Sequence, residues 1–434
     1  MSILCGTDLS PASGGALDVA VALANLRGDH EVVLIHVINP DSRGSATREE
    51  DIDRARAQLD AQGAQVTGPG GSESTNADAR GLSVRSELVV GPPDTTLLSV
   101  AETESSDLIV IAARSQPGEG GLLRLGTTAQ KVVAGARVPV IIVRDPAPWL
   151  AFAQSTSRPL RVLLGVDDSV ACDLGIQWVH GLRKRGPVEV VLGAIYYPDD
   201  AAAHYGVHAA TLVDRDPEIE RLIARDLIQR FGSTDRVVAR PRRGLGRIGD
   251  HVVELAREEA VDVIVVGTGQ KTGLDRLGSV SSIIVNDATQ SIVCVPPNAQ
   301  VPTLSVPIVA SALVATDLSP FANRAVPHAF GLTPEGGDVH IVHVIKGEAE
   351  IDEAELTRAL YALAPVNAKR NVSAHIVRGD DAATVLAQTA ARLGSDIICI
   401  ASHGRSGITR ALVGSVADRL LRATRKPVLI LRPA

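Results

Sequence analysis

Short apolar runs alternate with longer mixed segments along the whole chain. The run at residues 31–37 and the run at Ile397–Ala401 are rich in Val and Ile, and polar or glycine-containing turns follow them. Continuous apolar runs of this length are typical of strands that are buried on both faces of a parallel sheet. The segments between them have helical length, so the alternation predicts α/β domains whose parallel sheets carry helices on both faces.

One passage near the end of the chain occurs three times. It begins with the strand Ile397–Ala401, continues through a glycine-containing loop to a helix that starts at Gly414-Ser415, and ends in the strand Val428–Leu431. The same order of strand, glycine-rich loop, helix and strand recurs at residues 107–143 and 262–295. Three copies of one passage predict three copies of one domain. We expect the domains at residues 1–145, 159–297 and 308–434.

Four further expectations concern single segments. Ser10 as N-cap, followed by Pro11, predicts the start of the first helix. Residues 63–82 are rich in Gly, Ser and Asn and predict a loose loop after a helix at residues 48–62. The linker at residues 146–159 holds Trp149 and Phe152, two large aromatics that favour packing against a domain surface. The arginine-rich residues 240–247 are interpreted as a solvated loop, with anion binding as the alternative.

Composition excludes several classes of protein. The 434 residues are 45% hydrophobic but only 2% aromatic, and the formal net charge is −7, so neither charge nor stacking surface favours nucleic acid. The four cysteines lack CxxC spacing and lie in or beside apolar runs, which predicts buried thiols in a reducing cytoplasm. No signal core follows the N-terminus and no apolar run is long enough for a membrane span, so we expect a cytoplasmic protein without membrane insertion.

Two motifs point to an anion-binding function. Each copy has a strand-end turn with Asp then Ser, and each has a glycine-rich loop that leads to a helix start. Backbone N–H groups of such a loop, together with the helix dipole, form a site for phosphate. Glycines also serve ordinary turns, so the repetition of the loop carries more weight than one example.

These motifs resemble those of the universal stress protein family, over essentially the whole chain. The family's ATP loop has a glycine, two residues, a second glycine, nine residues, and then glycine with Ser or Thr. The third copy matches with Ala401 in place of the first glycine, followed by Gly404 and Gly414-Ser415, and His403 matches the Ser-His-Gly form of that loop.

The resemblance implies three tandem Rossmann-like domains (the adenine nucleotide alpha hydrolase-like fold), each a five-stranded parallel sheet with the ligand at the carboxyl ends of the strands. The implied ligand is ATP or a related adenine nucleotide, with Mg²⁺ or Mn²⁺ held through Asp317. Implied nucleotide-binding residues in the third copy are Ala315, Asp317, Val344, Ile400, Ala401, His403, Gly404, Gly414, Ser415 and Val416.

The other two copies depart from the family loop. The second copy is two residues shorter, since Gly267 to Gly278 is 11 positions against 13 from Ala401 to Gly414. In the first copy Ala113 to Gly126 is again 13 positions, but Gln116 and Pro117 replace the pattern at Gly404. We rank the third copy first, then the second with Gly165, Asp167, Ile195, Gly267, Gly269, Gly278, Ser279 and Val280, and last the first with Gly6, Asp8, Val37, Gly126 and Thr127.

Several plain interpretations stay open beside these. Asp317 and Ser415 can act only as helix caps, and His343 is interpreted as packed or hydrogen-bonded rather than catalytic. The alternative to a nucleotide-binding regulatory protein is a scaffold that acts through protein contacts. A true ATPase or nucleotidyl transferase is the third hypothesis. HIGH-type and KMSKS-type motifs are absent from the sequence, which favours at most slow hydrolysis.

Assembly is predicted from the last strand of each copy, namely Val140–Val143, residues 292–295 and Val428–Leu431. Family domains commonly pair through this strand, and an apolar strand at a sheet edge favours pairing. Two domains can pair within one chain and leave the third for a partner, so we expect a homodimer with three domain pairs. Separately, we expect each copy to have its own sheet, and a sheet continuous across two copies would contradict that expectation.

Overall fold

The computed structural model describes residues 2–40, 49–67, 81–113, 125–154, 158–207, 212–269, 280–299, 309–347, 351–401 and 415–432. The chain forms two compact units. One comprises Met1–Ile195 with Leu227–Leu304, and the other comprises Tyr196–Asp226 with Ser305–Ala434.

The first copy and the linker after it have the predicted alternation of strands and helices. The elements are β1 (Ile3–Thr7), α1 (Pro11–Arg27), β2 (Glu31–Ile38), α2 (Glu49–Thr67), β3 (Ser83–Val90), α3 (Pro93–Thr103), β4 (Leu108–Ala112), α4 (Thr127–Gly135), β5 (Val140–Val143) and, in the linker, α5 (Ala147–Ala153).

The second copy repeats the plan and adds a helix. Its elements are β6 (Leu160–Gly165), α6 (Val170–Arg183), β7 (Val188–Tyr196), α7 (Pro198–Tyr205), α8 (Leu212–Phe231), β8 (Val237–Arg243), α9 (Ile248–Glu258), β9 (Val263–Gly267), α10 (Val280–Asp287) and β10 (Ser291–Val295).

The third copy contains β11 (Ser311–Ala315), a 3-10 turn (Ala322–Arg324), α11 (Ala325–Leu332), β12 (Asp338–Ile345), α12 (Glu353–Tyr361), β13 (Asn371–Arg378), α13 (Ala382–Leu393), β14 (Ile397–Ala401), α14 (Ser415–Ala423) and β15 (Val428–Leu431). Its five strands form one parallel sheet in the order β13-β12-β11-β14-β15. Apolar clusters cover both faces of that sheet.

The first two copies share a single ten-stranded sheet in the order β3-β2-β1-β4-β5-β10-β9-β6-β7-β8. The strands β3-β2-β1-β4-β5 run parallel, as do β10-β9-β6-β7, and β5 meets β10 antiparallel with Ile142 opposite Ile292. The pairing of last strands is therefore confirmed for these two copies. The expectation of a separate sheet for each copy is wrong here, because that pairing itself joins the two sheets. The α/β fold class is confirmed.

Local sequence signals explain the helix starts. Ser10 Oγ accepts a hydrogen bond from the Ser13 N–H (3.3 Å) at the start of α1, and Ser169 Oγ accepts one from the Cys172 N–H (3.1 Å) at the start of α6. Both serines are N-caps with extended backbone, as this residue type favours. Helix α1 ends at Gly28, whose φ of 73° is easily adopted only by glycine.

Helix α2 is longer than predicted. It continues to Thr67, so residues 63–67 are helical, and the rest of the predicted loop to residue 80 lies outside the described residues. Gly63 is buried, and a Cβ atom there would lie 3.2 Å from Ser86 Oγ on β3. Because Gly63 has no side chain, α2 can approach β3 closely at this position.

The aromatic linker packs as predicted. Trp149 and Phe152 are each 1% exposed within the short helix α5. A Cβ atom at Gly186 would lie 2.7 Å from the Phe152 ring, which shows how closely the linker contacts the second copy.

The arginine-rich segment begins as a strand, which corrects the loop interpretation for residues 240–243. Arg240 on β8 pairs with Glu259 (2.5 Å), and Arg242 pairs with Glu254 (2.6 Å) and Glu258 (2.8 Å). Neighbouring carboxylates therefore balance these guanidinium groups, which does not favour the alternative of an anion site.

A helical segment of the second copy belongs to the unit of the third copy. Tyr196, Tyr205, Val207 and Ile219 form an apolar cluster with Ala391 of α13. Arg225 Nη2 donates to the Ala391 carbonyl (2.5 Å), and Gln388 Nε2 donates to the Ala203 carbonyl (3.0 Å). The Tyr-Tyr-Pro insertion therefore begins a docking segment for α13.

Within the described part of the chain, no helix combines the length and apolarity that a membrane span requires. All four cysteines are free and buried, as predicted. Burial raises the pKa of Cys5 and Cys294 to about 12, and that of Cys172 and Cys399 to about 11. The thiolate form is therefore scarce at neutral pH.

We expect the four thiols of the native protein to react very slowly with Ellman's reagent at pH 8, because the reagent requires an accessible thiolate. Denaturation in guanidinium chloride should release four equivalents at once. Rapid stoichiometric labelling of even one thiol in the native protein would contradict this burial.

Candidate functional site

Each set of five strands has a switch point, where the chain continues from the central strand to neighbouring strands on opposite sides. The carboxyl ends of the strands lie together there. In the third copy β11 lies between β12 and β14, so the chain continues to opposite sides of β11. The first copy has the same arrangement of β1 between β2 and β4. In open α/β sheets, ligands bind in the crevice at this switch point.

The same turn follows the central strand in the first and third copies. In the third copy, Thr316 Oγ1 accepts from the Leu318 N–H (2.9 Å) and Asp317 Oδ1 accepts from the Ser319 N–H (3.0 Å). The first copy repeats both bonds with Thr7, Asp8, Leu9 and Ser10, at 2.9 Å and 3.0 Å.

Leu318 and Leu9 have φ values of 65° and 64° in these turns, a conformation that costs a non-glycine residue about 1–2 kcal/mol. The hydroxyl of the preceding threonine holds this conformation. In the third copy, Thr316 Oγ1 also donates to Asn323 Oδ1 (2.6 Å), and Asn323 Nδ2 donates to the Leu318 carbonyl (3.2 Å). Side chains on both sides of the turn therefore stabilise it.

A histidine ties the neighbouring strand to each turn. His343 Nδ1 on β12 donates to the Thr316 carbonyl (2.8 Å), and His36 Nδ1 on β2 donates to the Thr7 carbonyl (2.8 Å). Because a carbonyl only accepts, Nδ1 carries the proton in both rings. The hydrogen-bonded interpretation of His343 is consistent with this geometry.

Predicted residues of the third copy converge. Ala315, Val344, Ile400 and Val416 belong to one apolar cluster, and β14 ends at Ala401. Asp317 is exposed, and its bond to Ser319 orients the carboxylate. Ser415 is the first residue of α14. His403, Gly404 and Gly414 lie outside the described residues.

Strand register corrects the loop length of the first copy. Ala112 pairs with Val143 and Ala401 pairs with Leu431, both opposite the end of the last strand, so Ala112 rather than Ala113 corresponds to Ala401. The spacing to the glycine is then 126 − 112 = 14 positions in the first copy against 414 − 401 = 13 in the third. The prediction of equal length is wrong because it was counted from one residue beyond the strand.

The helix start of the first copy is already hydrogen-bonded. The Gly126 N–H donates to the Ala113 carbonyl (3.0 Å), immediately before α4 begins at Thr127. An amide in this bond does not point to a phosphate. Gly6 lies on β1 and is fully enclosed, since a Cβ atom there would lie 3.1 Å from both Ile111 and Leu97. Val37, on β2, packs against the core of its unit.

The second copy has a different turn. Asp167 Oδ1 accepts from both the N–H (2.9 Å) and the hydroxyl (2.5 Å) of Ser169, and Arg230 Nη1 donates to the Asp167 carbonyl (2.7 Å). Gly165 ends β6, Ile195 packs against the core near the end of β7, and Val280 begins α10.

Gly267 has a steric role. A Cβ atom there would lie 2.8 Å from Ala171 Cβ and 2.9 Å from the Cys172 backbone nitrogen, so the glycine allows α6 to approach β9. A Cβ atom at Gly269 would meet open space. Gly278 and Ser279 lie outside the described residues.

Five residues that shape these turns are not among the predicted site residues, namely Thr7, Thr316, His36, Asn323 and Arg230. The repeated Thr-Asp-Leu-Ser-Pro turn and the His-Val pair near the end of β2 and β12 are sequence signals that identify the first three. Asn323 and Arg230 come near their turns only in the folded chain.

Comparison with known proteins agrees with this architecture. The profile of the universal stress protein family matches residues 1–144, 160–296 and 311–432. A universal stress protein of Mycolicibacterium smegmatis is 25% identical over 297 residues, which are 63% of this chain and 97% of that protein. One from Mycobacterium tuberculosis H37Rv is 30% identical over 204 residues, 42% of this chain and 64% of that protein.

Two solved structures illustrate the likeness. A universal stress protein from Archaeoglobus fulgidus is 18% identical with a TM-score of 0.46, covering 68% of this chain and 98% of its own. Another, a universal stress protein in complex with cAMP, is 24% identical with a TM-score of 0.25, covering 33% of this chain and 96% of its own.

The fold and the turns at the switch points define a tandem Rossmann-like α/β protein. The family profile covers three segments that together are most of the 434 residues, and the chain belongs to the universal stress protein family.

The threonine of the turn has a matched pair of tests. Thr316→Val keeps the shape of this buried side chain but removes the partner of the Leu318 N–H and of Asn323 Oδ1, so we expect a loss of about 1–3 kcal/mol in unfolding free energy. Thr7→Val should cost a similar amount in the other unit. Urea denaturation of both variants measures this, and an unchanged midpoint for Thr316→Val would show that the hydroxyl does not hold the turn.

Proposed function

We propose that this chain is a regulatory protein of the universal stress protein family that binds ATP or a related adenine nucleotide, chiefly in its third domain. One observation carries the proposal. In the third copy, Ala315, Val344, Ile400 and Val416 share a cluster at the switch point, and the Asp317 turn lies beside it.

Each group has a role in this proposal. The backbone of Val344 binds the adenine edge, while the loop at residues 402–414 and the start of α14 bind the phosphates. A helix start and glycine-rich backbone suit phosphate because their N–H groups are otherwise without helical partners. Asp317 suits Mg²⁺ or Mn²⁺, since it offers an exposed, oriented carboxylate and both cations prefer hard oxygen ligands. The cation offsets phosphate charge when it is bound.

The ranking of the copies follows from the contacts of their helix starts and turns. In the first copy the Gly126 amide is bonded to Ala113, and the loop carries Pro117 and an extra residue. In the second copy the Arg230 guanidinium lies at the Asp167 turn and pairs with Asp173 (2.7 Å). The second copy keeps glycines in its loop, but that loop is shorter and its turn contacts Arg230, so we rank its proposed nucleotide binding between that of the third copy and that of the first.

Binding rather than catalysis is the proposed activity. His343 uses its Nδ1 proton to hold the turn, and the Cys399 thiol on β14 is protonated at neutral pH because burial raises its pKa to about 11. Four buried free thiols fit a reducing compartment, in agreement with a cytoplasmic location.

Gly404→Gln combined with Gly414→Val tests the proposed site. Side chains at these positions obstruct close approach of backbone N–H groups to phosphate, and losing one or two charge-assisted hydrogen bonds predicts a fall in ATP affinity of about tenfold to several hundredfold. Titration calorimetry with Mg²⁺ and ATP measures the change.

Two controls separate the alternatives. Gln116→Gly should leave affinity unchanged, because Pro117 and the longer loop remain in the first copy. Unchanged affinity in the folded double variant would refute the assignment to the third domain. No ATP binding by the parent protein would favour the scaffold hypothesis instead.

We also propose that two chains associate through β15. The matching strands β5 and β10 cover each other, and Val140–Val143 is at most 4% exposed, whereas every residue of β15 is partly exposed. Among the described residues, β15 pairs with β14 alone and lies at the sheet edge. An antiparallel β15 pair then gives the dimer three domain pairs.

The helix beside β15 supports this assembly through its charges. In the paired copies, Gln130 Nε2 donates to Asn286 Oδ1 (2.8 Å). Gln130 lies four positions after Gly126, and Asn286 lies eight positions after Gly278. The same positions after Gly414 are Asp418 and Arg422. Leu421 and Val285 both lie seven positions after the glycine of their copy. Val285, in the paired second copy, is 4% exposed, whereas Leu421 is 47% exposed. A second copy therefore meets opposite charges and covers an apolar side chain.

Arg422→Asp should weaken the dimer about tenfold or more, because like charges then face each other across the two-fold axis. Exchanging both residues, with Asp418→Arg and Arg422→Asp together, restores opposite charges and should restore dimerisation. Sedimentation velocity at micromolar protein measures both. A strictly monomeric parent would refute the assembly, and a double exchange as weak as the single variant would refute the charge pairing.

A further inference from the structure

Two histidines and a serine of the third copy meet on one face of its sheet. His340 Nδ1 on β12 lies 2.6 Å from Ser373 Oγ on β13, which lies 2.9 Å from His375 Nε2. The two ring nitrogens are 3.3 Å apart. All three residues are partly exposed, and β13 is the edge strand of the sheet. Solvent therefore reaches this cluster, which is separate from the switch point.

We propose that His340 and His375 bind a divalent transition-metal ion of the Zn²⁺ class, with the Ser373 hydroxyl beside it and water completing the coordination. Two imidazole nitrogens that each lie about 2.0–2.1 Å from a tetrahedral zinc ion are about 3.3–3.4 Å apart, the separation found here. Imidazole nitrogen is a ligand that suits Zn²⁺, Cu²⁺ and Ni²⁺.

The hydrogen bonds give the directions of the ligand atoms. Ser373 Oγ forms contacts with one nitrogen of each ring, and those same two nitrogens contact each other. Both rings therefore direct a nitrogen into one small region.

The first copy shows that the fold does not require histidine at these positions. β2 and β3 pair in the same register as β12 and β13, with Glu31 opposite Ser83 and Asp338 opposite Asn371. His340, Ser373 and His375 therefore correspond to Val33, Arg85 and Glu87. In the first copy Arg85 forms ion pairs with Glu31 (3.2 Å), Glu104 (2.5 Å) and Glu87. The third copy replaces this ion network with two imidazoles and a hydroxyl.

Charged groups of opposite sign lie near the two rings. Asp338, next but one to His340 on β12, adds negative charge, whereas Arg392 of α13 adds positive charge near His375. Among the described residues no three His, Cys, Asp or Glu side chains cluster as metal ligands. We therefore expect an exchangeable site of moderate affinity.

The test uses the full chain, stripped with EDTA and free of nucleotide. Calorimetric titration with Zn²⁺ should show a site that weakens about tenfold to a hundredfold or more in His340→Val and in His375→Gln. His340→Val introduces the residue of the first copy, which the same fold buries completely at Val33. Zn²⁺ should also raise the unfolding temperature of the parent, and EDTA should reverse the rise.

His328→Ala is the matched control, because His328 is an exposed histidine of the same domain on α11. Its zinc binding should equal that of the parent. Equal zinc binding by the parent and by the folded His340→Val, His375→Gln double variant would overturn the proposal, as would an equal loss in His328→Ala. Co²⁺ absorption in the visible range provides a second measure, with the same ranking of variants expected.

Discussion

The need to cover the edge of the last strand governs the organisation of this chain. β5 and β10 are short and wholly apolar in the parts that pair, and each leaves unpaired backbone groups unless another strand lies beside it. Their antiparallel pairing satisfies both edges and places α4 beside α10, where Gln130 meets Asn286. One unit therefore contains a ten-stranded sheet. Among the described residues of the third copy, the last strand β15 lies at a sheet edge without such a partner and is partly exposed.

A second constraint acts at the turn that follows the central strand of the sheet. The Thr-Asp-Leu-Ser turn recurs with the same hydrogen bonds and the same positive φ at leucine in the first and third copies. Turn geometry therefore does not distinguish the first copy from the third. The difference lies after β4, where the first copy has a longer loop and a Gly126 amide already bonded to Ala113. The first and third copies therefore keep the same turn and differ in the segment between the fourth strand and the following helix.

The third copy differs from the others in what covers its sheet. The segment Tyr196–Asp226 packs on α13 through Tyr205 and Ile219, and Arg225 binds the last carbonyls of that helix. Carbonyls at a helix C-terminus have no partners within the helix, so a guanidinium group there stabilises the end of α13. On the same sheet, histidines stand where the first copy has an ion network. Copies of one fold in the same chain therefore carry different polar contacts at corresponding strand positions.

The sequence by itself determined the α/β class, the threefold repetition, the helix cap at Ser10, and the burial of the four cysteines. These follow from local periodicity and from side-chain types, which act over a few residues. It did not determine that residues 63–67 are helical, because that depends on the approach of α2 to Ser86. Nor did it show the correspondence of Ala112 with Ala401, which requires strand register, or the pairing of Arg240 with Glu259. The junction of β5 with β10, the docking of residues 196–226 on α13 and the meeting of His340 with His375 were decided only by the tertiary structure. Each brings together residues that are distant in sequence, and no local pattern encodes such a contact.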